Sequence, residues 1–282
     1  MNEIGLNIRK LKNKTFTVVI ALFTILTALP LIFIIYYVFR QGIAAINWQF
    51  FITLPKPVGE SGGGIANALL GTVLIVLVAS VMAVPIGIMA GVYMSENPDN
   101  RISRSARLAV EVLNGVPSIV IGIFAYLVVV IPTGGFSSFS GSFALAVMML
   151  PLIIRTTEET LQRVPKALKE SALALGAPYY RVIFKVVIPS GLSGIINGVM
   201  LAVARVTGET APLLFTAFGN PYLNWNISKP MANLPLLIFN YATSPYKNWH
   251  RLAWGASLIL IIFVLLLNIT SRLAIKKWKI RF

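Results

Sequence analysis

Two charged residues stand where apolar sequence surrounds them on both sides. In the run ARVTGETAPLLFTA (Ala204–Ala217), Arg205 and Glu209 are four residues apart. On a helix that spacing places them on one face, where they could pair. A planar guanidinium also suits bidentate recognition of a tetrahedral oxyanion. Two roles follow for Arg205: a cation in a substrate path, or a structural group locked to Glu209 or to a partner subunit. Polar residues in other apolar runs are path-lining or helix-packing candidates: Asn114 and Ser118 in LNGVPSIVIGIF, Asn197 beside Gly198, and Thr207. Catalytic chemistry is poorly supplied. The chain has no cysteine and one histidine, His250, which excludes thiolate catalysis and Cys-type metal sites and leaves almost no material for a His-based one. No GxxxxGK[ST] run occurs, and GGGIANALLGT (Gly62–Thr72) lacks the lysine that would reach a phosphate. No catalytic residue, metal or cofactor is therefore expected in this chain.

The elements around these residues are membrane spans. Of 282 residues, 57% are hydrophobic and 12% charged, about half the roughly 25% charge of soluble domains. Gaps between charges locate six spans: Thr15–Phe39, Ala66–Met94, Val112–Ile131, Phe143–Ile154 continuing past Arg155, a fifth between Lys185 and Arg205, and Leu252–Ser271. The stretch PTGGFSSFSGS (Pro132–Ser142) divides a gap about twice the ~20 residues that one helix needs. The fifth span is expected to start near Pro189. Arg205 is then roughly 24 Å along it at 1.5 Å per residue, in the far half of the bilayer. Burying an arginine there costs at least about 2.5–3.5 kcal/mol unless it faces a cavity or a partner.

Basic residues are divided unequally between the two sides. Eighteen fall in the N-terminal tail, the second and fourth loops and the C-terminal tail, against five in the remaining loops. Basic loops face the cytoplasm, so both termini are expected inside. The same asymmetry explains the +15 net charge without nucleic acid. The first span exceeds a signal-peptide apolar core and has no small-residue cleavage site after it, so it is read as a retained helix.

The loop Thr156–Lys185 is the second informative segment. From Pro165, apolar residues recur at helical spacing between Lys166, Lys169 and Glu170. Pro165 suits a helix start, and Gly176 followed by Pro178 suits a stop. The pattern predicts a short amphipathic helix of about 11 residues, lying on the bilayer, packing under the spans or docking into another protein. Glu158 and Glu159 read as a solvated ion-pair face with Arg155. On the opposite side, Asn220–His250 reads as an external stretch, with Tyr222, Trp225, Tyr241, Tyr246 and Trp249 mostly as interfacial belt residues.

Glu170–Ser171–Ala172, Gly176, and Val186–Val187–Ile188–Pro189 resemble the EAA loop of ABC importer permeases, with Ser171 in place of the first alanine. RVTGETAPLLFTA (Arg205–Ala217), MANLPLLIFNYATSPY (Met231–Tyr246) and the following LAWGASLIL resemble the phosphate-specific permeases of that family. The resemblance covers about Ile65 to Asn268. It implies an all-α fold of six transmembrane helices of the type I importer class. Residues 1–64 would hold the N-terminal tail, first span and outer loop; residues 65–282 would hold a five-helix core with a coupling loop at 156–189. It further implies a permease rather than an enzyme, in a bacterial inner membrane and its lipid. Its partners would be a second permease, two ATP-binding subunits that hold ATP-Mg, and an external phosphate-binding protein. Glu170, Ser171, Ala172 and Gly176 would couple to the ATPase, and Arg205 with Glu209 would lie on the substrate path. One arginine leaves part of a divalent oxyanion uncompensated, so a second cation is expected from the partner permease. Permeases for sulfate, molybdate or phosphonate would share the loop and the spans. An ion-coupled secondary transporter would have no use for the loop.

Overall fold

The computed structural model describes residues 3–60 and 62–278. The chain is helical throughout, with no strand among the described residues. Its helices are α1 (Glu3–Gly42), α2 (Trp48–Ile52), α3 (Ala66–Glu96), α4 (Arg101–Gly115), α5 (Ser118–Ala125), α6 (Ile131–Thr133), α7 (Ser138–Gln162), α8 (Lys166–Ala174), α9 (Tyr179–Val182), α10 (Ile188–Thr207), α11 (Ala211–Leu214), α12 (Leu234–Ala242) and α13 (Lys247–Trp278). A π-helical turn, Tyr126–Val130, joins α5 to α6, and another, Ile183–Val187, joins α9 to α10.

Five helical stretches are long and apolar enough to cross a membrane, and a bent pair supplies a sixth. The bend corrects the third span. Residues 112–115 belong to α4, which meets the following helix at 106° across Val116 and Pro117. The crossing part begins only at Ser118. The corner follows from chemistry: Pro117 has no N–H to give, and its ring keeps Val116 extended (ψ 129°). The fourth span also starts earlier than expected, at Ser138, because Ser137 caps it by accepting from the Ser140 N–H at 3.1 Å.

Small residues set how the central helices pack. A side chain on Gly87 would meet Ile153, and one on Gly91 would meet Thr157. The Ser142 hydroxyl donates to the Ile75 carbonyl at 3.0 Å. These pairs advance together, so α3 and α7 run in the same direction. On α10, Gly191 faces Leu161, Gly194 faces Thr160 and Gly198 faces Thr156. These pairs run in opposition, so α10 is antiparallel to α7. Backbone approach at such positions supplies the dispersion contact that holds helices together in lipid, where apolar burial gives no drive. Between them lie Ala79, Ala83, Leu145, Met149, Ile153, Ala202 and Val206, all buried.

The far end, opposite the loop holding α8, is closed by a segment expected to be external. Met231–Leu237 is buried throughout. It packs with Phe50, Ile65, Leu252 and Ala256. The Leu234 N–H donates to the Thr72 hydroxyl at 2.8 Å, one and a half turns into α3. Tyr241 is buried and stacks on Trp249 with ring centroids 4.5 Å apart, so this pair belongs to the packing rather than to an interfacial belt. Tyr222 and Trp225 remain exposed. By contrast, among the described residues α1 leans on the rest of the chain near its end, where Gly42 meets Trp254 and Leu258. Phe23, Leu26 and Phe33 along it are exposed, as a lipid-facing helix requires.

Candidate functional site

The fifth span begins at Tyr179, ten residues before Pro189, because the π turn carries the helix through the proline. Extending the α7–α10 register from Gly198 sets Arg205 level with Met149, near the midpoint of α7. Arg205 therefore lies at mid-membrane depth rather than in the far half. Two residues later α10 ends, with Gly208 as its cap. The remaining depth is crossed by an irregular strap and the single turn α11. Pro212 in α11 sits on Gly122, and Leu213, Thr216 and Ala217 surround Gly141. Backbone that leaves a helix at this depth is tolerated only where protein buries it or a cavity solvates it.

This break removes the pairing expected of Arg205 and Glu209. Glu209 lies beyond the Gly208 cap, so the two no longer sit one turn apart on a helix. The described residues contain four ion pairs, and Arg205–Glu209 is not among them. Arg205 is exposed, while Glu209 is half-buried. Asn197, Leu201 and Arg205, at steps of four, form one exposed stripe on α10, with Gly198, Ala202 and Val206 buried beside it. Asn197 thus shares a face with the arginine. Thr207 does not: it is buried, and its hydroxyl donates to the Val203 carbonyl at 2.6 Å, which withdraws it from path lining. Asn114 is exposed at the α4–α5 corner and Ser118 half-buried just beyond it.

The predicted amphipathic helix is α8. Pro165 caps it rather than opening it. Its end is a Schellman motif: the Gly176 N–H donates to Leu173 at 2.9 Å and the Ala177 N–H to Ala172 at 3.3 Å. Gly176 takes the left-handed φ of +81° that this motif requires. Glu170 and Ser171 point outward. Ala172 turns inward against the cluster of Leu161, Val182, Ile183, Val187 and Ile195, so it serves packing and not the outer face.

Two polar clusters at this end join elements distant in sequence. Glu158 is buried, not solvated: it pairs with Arg107 at 2.7 Å and accepts from Gln162 at 3.1 Å. Arg107 also donates to the Pro98 carbonyl at 2.8 Å, which fastens α4 to the end of α3. Arg155 and Glu159 form the expected exposed pair at 2.9 Å. In the second cluster, Glu96 at the end of α3 accepts hydrogen bonds from both Lys169 of α8 and Tyr179 of α9. Burial disfavours the Lys169 charge, but the bonds to Glu96 and Tyr179 outweigh it and raise its pKa. The sequence displays Glu96 only as the charge that bounds a span.

Comparison with known proteins fits this architecture. Residues 83–277 match the family described as "Binding-protein-dependent transport system inner membrane component". The phosphate transport system permease protein PstA of Yersinia pestis is 40% identical over 273 residues, 96% of this chain and 92% of its own length. PstA of Haemophilus influenzae is 40% identical over 94% of each chain. The probable PstA of Methanocaldococcus jannaschii is 35% identical over 95% of each. Among solved structures, an inward-facing MetNI methionine ABC transporter chain aligns with a TM-score of 0.66 at 19% identity, over 76% of this chain and 96% of that one. An amino acid ABC transporter chain aligns at 0.57 and 17% identity, over 74% of this chain and 92% of that one. A helical membrane chain, broken at mid-depth beside an exposed arginine and bearing an EAA-type loop, thus belongs to the binding-protein-dependent transport permease family, on its PstA branch.

Proposed function

We propose that this chain is the permease subunit of an ATP-driven importer of inorganic phosphate. The observation that carries the proposal is Arg205, exposed and without an ion pair among the described residues at mid-membrane depth, in a protein whose relatives are named phosphate permeases. A guanidinium fork offers two parallel donors to a phosphate. The exposed stripe Asn197–Leu201–Arg205 leaves room for a second permease, which would supply the further cation that a divalent anion needs. ATP and magnesium would be held by separate ATPase subunits docked at α8, and an external binding protein would deliver phosphate at the far end. The basic loops would set both termini in the cytoplasm of a bacterial inner membrane. Transport would proceed by alternating access, with the helices rocking about the break after Thr207. Weak binding at Arg205 suits transport, since a tight site would hold its cargo.

The test is ATP-dependent uptake of labelled phosphate into vesicles holding the assembled complex, with sulfate and molybdate as competitors. Uptake indifferent to both competitors is the expected result. Sulfate or molybdate carried in place of phosphate would mean the transporter is right and its cargo wrong.

Docking at α8 has its own prediction. No atom approaches within 4 Å of the position a Gly176 side chain would take, so a substituent there strains the backbone and projects toward the docking partner. Gly176→Trp should lower recovery of the ATPase subunit in a pull-down by about tenfold, in line with a left-handed penalty of about 1–2 kcal/mol. Gly176→Asn, which tolerates that φ, should bind nearly as wild type. Equal recovery with tryptophan would remove α8 from the interface.

A further inference from the structure

The helix α8 is held to this chain by little apolar contact for an element expected to carry force. It is nine residues long and has no buried residue. A helix this short has no stability of its own in water. Its apolar attachment is the half-buried Ala172, packed against the cluster that holds Val182 and Ile183. Its polar attachment is Lys169, whose side chain is 27% exposed and meets a Glu96 carboxylate that is 11% exposed. The Lys169 ammonium lies 3.3 Å from the Tyr179 hydroxyl and 4.9 Å from the centre of its ring. The Tyr179 hydroxyl donates to the same Glu96 oxygen that accepts from Lys169. One carboxylate therefore ties three elements together: α8, the last residue of α3 and the first residue of the fifth span.

The two spans so joined are the ones that reach the functional features. From Tyr179 the fifth span runs as one helical stretch to Arg205 and the break. From Glu96, α3 runs back to Gly71 and Thr72, which seat the far-end segment Met231–Leu237. We propose that Glu96 is a positioning residue, a latch that delivers movement of α8 to both spans together, so that the mid-membrane arginine and the far-end closure shift in one step. The ion pair suits this role because it is directional and mostly shielded from water, whereas a single alanine contact can slide. Glu96 acts through Lys169 and Tyr179, and touches no substrate.

This inference rests on the proposed importer function, and the experiment keeps the two apart. ATP hydrolysis and phosphate uptake are measured on the same vesicles containing the full complex. Glu96→Gln, which keeps size and removes charge, should leave hydrolysis within about twofold and lower phosphate taken up per ATP by about tenfold, the scale of a modest coupling free energy. Lys169→Met, on the docking helix itself, should also lower uptake per ATP. The exchanged pair, Glu96→Lys with Lys169→Glu, should recover most of the ratio, since a tyrosine hydroxyl can donate to a carboxylate or accept from an ammonium. Wild-type uptake per ATP in Glu96→Gln would overturn the latch. So would loss of assembly in both the single variant and the exchanged pair, which would make the pair merely structural. If the wild-type complex hydrolyses ATP but takes up no phosphate, the importer proposal fails. The latch is then decided by amide exchange on the purified chain: faster exchange confined to Lys166–Ala174 in Glu96→Gln and reversed by the exchanged pair upholds it, and unchanged exchange overturns it.

Discussion

Arg205→Ala is expected to lower phosphate uptake by about a hundredfold or more, because the exposed guanidinium forms no ion pair among the described residues. A charge-assisted hydrogen bond contributes about 1.5–3 kcal/mol, and a bidentate fork makes two. Each 1.36 kcal/mol lost is a factor of ten, so even a partly solvated fork accounts for two decades. Arg205→Lys keeps the charge and loses the fork, and should fall between, at about tenfold below wild type. The competing role, a helix locked by Arg205 and Glu209, has lost its geometry: α10 stops at Thr207, and the pair is not formed. Uptake and recovery of the assembled complex must be measured together. Lost uptake with normal assembly places Arg205 on the path. Lost assembly in both variants would instead assign it to the partner interface, and full uptake in Arg205→Ala would remove it from transport.

What the sequence disclosed, and what it hid, divides along physical lines. The spans were legible because lipid forbids unpaired charge over a long stretch, so gaps between charges mark them. α8 was legible from its apolar spacing and the Gly176 stop, which the Schellman geometry bears out. Of the two prolines at expected helix breaks, only one makes a break. Pro117 makes a corner, since the chain before it leaves the helix. Pro189 makes none, because a π turn ends two residues earlier, at Val187, and a π turn likewise ends at Val130, two residues before Pro132. In each case the residue before the proline donates five residues back, Ile188 to Ile183 and Ile131 to Tyr126, so the turn is already widened where the proline ring would crowd the preceding turn. That shift leaves no mark in composition. The Arg205–Glu209 spacing misled for a related reason: four residues mean one helical face only while the helix lasts, and Gly208 ends it. Met231–Leu237 is apolar but too short to span, so its burial depends on Gly71 and Thr72, more than 150 residues earlier in the chain. Glu96, Lys169 and Tyr179 are likewise scattered, and only the fold brings them to one oxygen.

The second large effect is expected at Gly198, where α10 crosses α7. A methyl group built there lies 2.0 Å from the Thr156 hydroxyl oxygen and 2.6 Å from its β-carbon. Rotating Thr156 relieves the first contact but not the second, because the β-carbon is fixed by the backbone. Gly198→Ala must therefore push the helices apart, and core overpacking of this kind costs about 1–3 kcal/mol. The substitution also raises helix propensity by about 1 kcal/mol, so the net loss identifies the interface rather than the helix itself. Gly198→Val should be more severe and reduce the folded, membrane-inserted chain to a small fraction of wild type. Thr156→Gly makes the missing space on the opposite helix, and its hydroxyl serves only the Leu152 and Ile153 carbonyls of its own turn. The double variant Gly198→Ala with Thr156→Gly should thus regain much of the thermal stability in detergent that Gly198→Ala loses. Additive destabilisation in the double variant would show that the two residues do not meet. The register that sets Arg205 level with Met149 would then be wrong as well, since it is read from this same crossing.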